Sequence, residues 1–549
     1  MRHLIKREFI PLLIISIATF ISAKALFHTG FFRTIDDITV IRIVYMAKEL
    51  IRHDWIHNMP VRWSGELAHG FGYPLYLFYA PLPYYLGALL YMTGKFSHIV
   101  ATKWVYVLPL LIGPFFFYWA ARQKMTKLAA TAATLFFVFF PYRGFDTYIR
   151  GGVGEALAMA FLPGLFAGIF LFEKNKHYGY IISVFLGLAL ISHNVSGLMI
   201  IALVILYGLV FHFKHLSYWL HILLGLGLSA FFWLPSYYYL SIVKVNYSNQ
   251  NTGQIIQLLE PYMNLLRIQI PFVPEVKYSG ILFIIIITGI IASFLAYRNK
   301  TTKHARELLF WGFISIFIYS LLSKEFIAFW QITLPVSRIL QFPWRVFVVL
   351  SFIMPFFTGL WINIAKPAYI KYLGCIFVLI ACAVFITAFH PKEYSFFYEY
   401  TAEDTGICAT SWGDEYIPVW VNKCAGTTPS RIIEVNETTK ILSKEISPLS
   451  IHAQLDSKNG TYLRIFHYYF PGWIIKIDNK EVPVDYHFSD QGIFKTTVPP
   501  GKHRVDIQYG KTTLMWIADS VTILSLVFLL SELVFFNRSF SFDKKVKRN

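Results

Sequence analysis

Apolar runs of about 20 residues recur along most of this chain, from residue 8 to residue 536, and no other feature narrows its folding options so far. A helix rises about 1.5 Å per residue, so one such run reaches across the ~30 Å hydrocarbon core of a bilayer. Within that core the backbone must satisfy its own N–H and C=O groups, which only helices and closed barrels do. The runs are continuously apolar rather than alternating, so they read as helices. Charged residues make up 15% of the chain, against about a quarter in soluble domains. The sequence is that of a polytopic α-helical membrane protein.

The formal charge of +18 does not indicate nucleic acid. The basic residues sit in short tracts between apolar runs, at 122–127, 174–176, 214, 298–306, 366–371 and 538–548. That is the pattern of cytoplasmic loops. Placing every tract inside gives about twelve spans, near 8–26, 103–121, 128–142, 156–172, 179–193, 195–211, 217–235, 279–297, 307–322, 344–362, 371–388 and 513–536, with both termini cytoplasmic. Residues 1–7 are basic and 8–26 apolar, as in a signal peptide. No small-residue cleavage site follows, so the first run is expected to remain as a span. Residues 74–93 challenge the parity, because a full span there would turn the later basic tracts outward. The Pro81-Leu82-Pro83 break favours a re-entrant or kinked segment. The alternative is a true span, with two later runs forming one hairpin.

Three regions follow. Residues 1–389 form a transmembrane domain with an outer first loop at 27–102, residues 390–512 an extracytoplasmic β-rich domain, and residues 513–549 the last transmembrane helix with a basic cytoplasmic tail. In the middle region Thr461-Tyr462-Leu463-Arg464-Ile465 and His503-Arg504-Val505-Asp506-Ile507 alternate as strands do. Asp478-Asn479 and Pro499-Pro500-Gly501 supply turns. Trp412, Trp420 and Trp473 suit either core packing, the stronger reading, or stacking on carbohydrate. Cys375 and Cys382 fall in a span as core residues, whereas Cys408 and Cys424 lie outside and are the disulfide candidate.

The sharpest chemical signal is Asp36-Asp37, just after the first span. Adjacent carboxylates beside a bilayer disfavour each other's charge and resist desolvation. One reason to keep them is catalysis, one carboxylate taking a proton from an acceptor hydroxyl while the other binds a metal or orients a sugar. Another is a helix N-terminus ahead of the amphipathic run 38–51. Both can hold. Arg62, Arg143, Arg150, Arg338 and Arg345 all fall at predicted outer helix ends. A guanidinium fork matches phosphate oxygens, so a lipid phosphate or diphosphate is their natural ligand. For any one of them, snorkelling or an ion pair such as Arg150 with Glu155 is the stronger reading. His193, at the end of a span, reads first as a hydrogen-bonding group between helices. There is no phosphate-binding Gly-Lys loop, nucleotide fingerprint, zinc-ligand spacing or serine nucleophile elbow.

A series of pieces runs in order through nearly the whole chain. They are Asp36-Asp37, Pro60-Val61-Arg62-Trp63, Gly70-Phe71-Gly72-Tyr73-Pro74 with Pro81-Leu82-Pro83-Tyr84-Tyr85, and Tyr148-Ile149-Arg150-Gly151 through Glu155. Ser192-His193-Asn194, Gln341-Phe342-Pro343-Trp344-Arg345, Glu415-Tyr416-Ile417-Pro418 and Tyr469-Phe470-Pro471-Gly472-Trp473 complete them. In these pieces the chain resembles the bacterial and archaeal membrane proteins labelled 6-pyruvoyl-tetrahydropterin synthase-related and the YfhO-type membrane proteins. A first span followed by an outer loop with paired acids also looks like the GT-C superfamily of membrane glycosyltransferases.

The resemblance implies a GT-C-like transmembrane domain in the plasma membrane. It implies a sugar donor on polyprenyl phosphate or diphosphate and a glycan, lipid or protein acceptor on the outer face. Asp36 or Asp37 would be base or metal ligand, with inversion of the anomeric carbon; a divalent metal stays open. Arg62, Arg143, Arg150, Arg338 and Arg345 would hold donor phosphate, supported by Trp63, Glu155 and His193. No pterin chemistry is expected, because pterin synthases are soluble zinc enzymes. The rival functions are a lipid-linked-saccharide flippase or transporter and a non-catalytic membrane protein of envelope assembly. A transporter should carry charge at mid-depth in its spans and often repeats its halves, whereas most charges here cluster at helix ends.

Overall fold

The computed structural model describes residues 2–36, 38–52, 58–244, 305–333, 342–366, 368–395, 415–422 and 426–546, with Leu340 and short pieces between 263 and 294. Helix α1 (Arg2–Ala23) leads into a long loop carrying α2 (Thr39–Ile51) and α3 (Leu82–Met92). Then come α4 (His98–Lys124), α5 (Lys127–Val138), α6 (Val153–Lys174), α7 (Gly179–Ser192), α8 (Asn194–Phe211), α9 (Leu216–Leu228) and α10 (Ala230–Tyr239). After α11 (Ala305–Ser320), α12 (Phe347–Ile364) and α13 (Ala368–Phe385) the chain enters its sheets, and α14 (Thr513–Val546) follows them. Eight described helical segments are long and apolar enough to cross a membrane, as a polytopic membrane protein requires.

The expected twelve spans are met differently in places. Residues 217–235 are not one helix: α9 and the helical segment Ala230–Ile242 bend by 70° at the break around Ser229. Helix α7 has 14 residues and α11 has 16, both short of the full length. Most of 279–297 lies outside the described residues.

The loop after α1 starts and ends at one end of the bundle. Phe27 packs edge-on against Trp104 at 6.2 Å, and the Lys103 ammonium donates to the His28 carbonyl at 2.5 Å. Segment 74–93 is not one continuous helix. It breaks around Tyr79–Pro81 into Leu75–Phe78 and α3, and the 11 residues of α3 rise only about 16 Å. At the opposite end the basic tracts meet acids from neighbouring helices: Arg122 pairs with Glu8 at 3.1 Å, and Lys124 with Glu307 at 2.6 Å and with Glu173.

The region after α13 folds into sheets. A five-stranded antiparallel sheet has the order β8 (Lys480–Val482), β7 (Trp473–Ile477), β10 (Gly501–Tyr509), β5 (Ser450–Ser457) and β4 (Thr439–Ser447). A three-stranded sheet has the order β9 (Ile493–Val498), β6 (Thr461–Tyr468) and β3 (Ile433–Glu434). Along β6 and β7 buried and exposed residues mostly alternate, which puts Leu463, Ile465 and Ile475 into one core. Asp478 and Asn479, at φ 49° and 68°, form the two-residue turn between β7 and β8. Farther back, β2 (Tyr394–Ser395) pairs with β1 (Phe31–Phe32), tying the chain just after α13 to the first loop.

The sheets dock on the first loop through aromatic rings. Trp63, fully buried, stacks on Tyr509 at 5.1 Å and meets Phe470 and Trp473 at 5.8 and 6.3 Å. Trp473 is core here, between Trp63 and Phe494, while Trp420 packs on Tyr486 and donates to the Tyr469 carbonyl at 3.0 Å. Trp412, Cys408 and Cys424 lie outside the described residues.

Candidate functional site

A cavity of about 340 Å³ opens where the first loop, several helix ends and the chain entering the sheets converge. Asp36, Arg150, His193 and Arg345 line it, together with Arg42, Glu415 and the aromatic side chains of Phe78, Tyr79, Tyr84, Phe342 and Tyr416.

Backbone pairing fixes the Asp36 loop. The Ile35 and Asp36 amides donate to the carbonyls of Ile149 and Arg150 at 3.0 and 2.8 Å. Those carbonyls belong to a π-helical turn, Asp146–Arg150, a local widening that frequently accompanies functional sites. The turn ends at Gly151, φ 80°, where a Cβ would collide with the Thr34 hydroxyl. Asp36 faces Arg42, its carboxylate 3.4 Å from the guanidinium. Arg42 is almost fully buried, lies 4.3 Å over the Tyr79 ring and donates to the Tyr84 hydroxyl at 3.2 Å.

Two other arginines are organised by one carboxylate. Glu155, in the first turn of α6, is fully buried. It pairs with Arg150 at 2.5 Å, approaches Arg345 at 3.6 Å and the His193 ring at 3.7 Å, and accepts from the Tyr142 hydroxyl. Arg150 also pairs with buried Asp146 at 3.1 Å. His193 caps α8: its Nδ1 accepts the Ser196 amide at 3.2 Å, which leaves Nε2 as the side toward Glu155. Asn194 donates to the Phe78 carbonyl at 2.7 Å and so fastens this cap to the first loop.

The first turns of two helices, α6 through Gly152–Gly154 and α8 through Asn194 and Val195, face the same cavity. Their leading amides have no carbonyl within their own helix to meet and carry the positive end of the helix dipole. Three guanidiniums and two helix N-termini thus surround one space, with the carboxylates of Asp36, Asp146 and Glu155 beside them.

Two expected phosphate ligands, Arg62 and Arg143, and the expected supporting residue Trp63 lie elsewhere. Arg62 does not line the cavity; its guanidinium is taken by Asp519 of α14 at 2.5 Å and by the Phe231 carbonyl at 2.8 Å. Arg143 is buried against Phe137 and donates to the carbonyls of Phe137, Val138 and Pro109 at 3.0, 3.1 and 3.3 Å, which satisfies the C-terminal end of α5. Trp63 is a docking residue. Asp37 and Arg338 lie outside the described residues. Sequence reasoning missed Arg42, although a single arginine six residues after Asp36 in an otherwise apolar run was a usable signal. It also gave Glu415, Tyr79 and Tyr84 no role. Among the described residues no three His, Cys, Asp or Glu side chains come together to hold a metal.

The 6-pyruvoyl-tetrahydropterin synthase related domain, described as a membrane protein, matches residues 76–390, more than half of the 549-residue chain. The chain belongs to this family. The matched span of this family member runs from Tyr76, before the cavity's aromatic wall, past Arg345 to the end of α13. No curated protein matches the chain in sequence. Distantly similar solved structures include the arabinofuranosyltransferase AftD from mycobacteria, at 13% identity and a TM-score of 0.49, covering 73% of this chain and 28% of that one. The Archaeoglobus fulgidus oligosaccharyltransferase follows at 14% and 0.43, with 70% and 53% covered. ArnT from Cupriavidus metallidurans, bound to undecaprenyl phosphate, stands at 13% and 0.40, with 69% and 63% covered. The chain thus spans less than two thirds of the length of each.

Proposed function

We propose that this protein is a membrane glycosyltransferase that moves a sugar from a polyprenyl phosphate or diphosphate donor to an acceptor on the outer face of the plasma membrane, with both termini cytoplasmic. The observation that carries this reading is the cavity, in which Arg42, Arg150, Arg345 and two helix N-termini surround a space that Asp36 enters. The basic tracts gather at the opposite end of the bundle, which supports an outward-facing cavity.

In this reading the donor phosphate sits among the guanidiniums. The bond between anomeric carbon and phosphate oxygen breaks, and the charge left on the lipid phosphate is held by Arg150 and Arg345. The acceptor hydroxyl oxygen bonds to the same carbon from the opposite side, and its proton passes to Asp36 or Asp37. One displacement inverts the centre. The hydroxyl is the weak partner, so the carboxylate matters to rate and the arginines to donor affinity.

The test is purified protein in liposomes with polyprenyl-linked sugars, measuring donor affinity and transfer rate separately. The variant at the essential aspartate, Asp36→Asn or Asp37→Asn, should lose about 10²-fold or more in rate at near-normal affinity. Arg150→Ala and Arg345→Ala should chiefly weaken donor binding. Normal transfer in both aspartate variants refutes the assignment, and headgroup translocation without transfer makes the protein a flippase.

A further inference from the structure

A second cavity, of about 420 Å³, shares no lining residue with the first and lies between the first loop and the sheets. Tyr45 and Lys48 of α2, Glu66 and His69 of the following turn, and Ser447 and His467 of the sheets form much of its wall. Its volume is within the ~300–1,000 Å³ typical of small-molecule sites.

Both walls are set in place. A Cβ on Gly65 would collide with the Pro448 carbonyl, and the Tyr468 amide donates to the Phe71 carbonyl at 2.7 Å. Ala68, His69 and Gly70 take φ values of 53°, 56° and 87°, all left-handed. For a residue other than glycine that conformation costs about 1–3 kcal/mol, and such strain gathers at ligand clamps. Here it brings His69 into the cavity wall.

His467 is the second observation. It is 2% exposed and stacks on Trp473 at 5.2 Å. The Phe71 and Gly70 carbonyls act as backbone acceptors toward its ring, although among the described residues neither ring nitrogen has a hydrogen bond of good geometry. Burial pushes its pKa down to about 4, so at neutral pH one nitrogen donates and the other accepts. The backbone carbonyls serve the donating nitrogen, and a ligand hydroxyl would serve the accepting one.

The remaining wall selects the ligand. The charges offset one another, two for two: Glu66 pairs with Lys48 at 2.8 Å and with Arg52, which also pairs with Glu49, so the cavity does not favour a strongly charged guest. Hydroxyls of Ser447 and Thr428 alternate with apolar surface from Ile432, Ile446 and Pro448. A sugar ring presents the matching surfaces, hydroxyls at its edge and C–H groups on its face.

We propose that this cavity binds a neutral oligosaccharide. On the glycosyltransferase reading, on which this role rests, it seats the outer part of an acceptor glycan. Helix α2 links the two cavities, with Arg42 in one and Lys48 in the other, about 9 Å apart along its axis.

The test is saturation-transfer NMR on the full-length protein in detergent, with maltotriose, cellotriose, mannotriose and chitotriose as probes. Thr428→Trp, at an exposed rim position, should fill the mouth and reduce the signal of the bound trisaccharide at least fivefold, and His467→Phe should weaken it. Asp36→Asn and Arg345→Ala, in the other cavity, should leave it unchanged. No binding of any trisaccharide to the wild-type protein, or binding indifferent to a folded Thr428→Trp variant, overturns the site. Binding that Thr428→Trp removes, in a protein that transfers no sugar from any polyprenyl donor, supports the site and refutes only the glycosyltransferase reading.

Discussion

Replacing Asp519 by Asn should destabilise this protein more than any change at the arginine it holds. The Arg62 and Asp519 side chains are 5% and 9% exposed and meet at 2.5 Å, and Lys511 reaches the second oxygen of Asp519 at 2.8 Å. Asp519→Asn leaves two buried cations without a counter-charge. Breaking a buried pair from one side costs about 3–5 kcal/mol, and the loss should fall in the upper part of that range. Arg62→Ala leaves Asp519 with Lys511, so its cost should be nearer the ~1–3 kcal/mol of an abandoned polar group. The triple variant Arg62→Met, Lys511→Met and Asp519→Leu should recover much of the loss, because a well-packed apolar group needs no desolvation and leaves no buried charge unpaired. Unfolding in mixed detergent–SDS micelles, followed by tryptophan fluorescence, gives the three free energies. An Arg62→Ala protein of wild-type stability but weakened donor binding would refute the reasoning and return Arg62 to the phosphate.

Other outcomes follow from the same geometry. Glu155→Gln removes the carboxylate that holds Arg150 and Arg345 in position, and this loss of orientation should outweigh the freed positive charge, so donor affinity should fall about tenfold with a smaller change in turnover, measured as in the liposome assay. Trp63→Ala empties a fully buried ring site between the first loop and the sheets and should cost about 3–5 kcal/mol, read by the same SDS titration. His503 bonds Asp478 at 2.6 Å and the Pro500 carbonyl at 3.2 Å, which raise its pKa above 6.5. Its contribution to stability is thus full below the ordinary histidine value and lost as pH rises through the raised one. Histidine NMR should show the raised value, and Asp478→Asn should lower it.

The architecture was legible because its causes are local. Apolar length marks helices, basic tracts mark one end of the bundle, and alternation with Asp478-Asn479 marks a hairpin. Where tertiary packing decides, the reading was less sharp. The run at 217–235 is apolar throughout, yet it breaks near Ser229, where Thr522 of α14 accepts the Phe231 amide at 2.9 Å and donates to the Gly227 carbonyl at 3.1 Å. A hydroxyl from a helix almost 300 residues later supports that break, and no window around 217–235 contains it.

The arginines divide by the same logic. Five fell at predicted helix ends, and a helix end offers a guanidinium three kinds of partner: orphan carbonyls, an acid on a neighbouring helix, or a ligand. Arg143 took the first, with the carbonyls of Phe137 and Val138. Arg62 took the second, with Asp519. Arg150 and Arg345 line the cavity and reach Glu155 as well, so their positive charge is only partly offset. Helix position is the same in each case, and the choice depends on which acid lies across the gap. Arg42 completes the point. It lies within the amphipathic run 38–51 and was given no role there, but Tyr79, Tyr84 and Asp36 close around it and carry its charge into the cavity wall. The anion site proposed above draws its cations from the first loop, the π-helical turn and the turn just before α12. Their convergence follows from the fold, and no single stretch of sequence contains it.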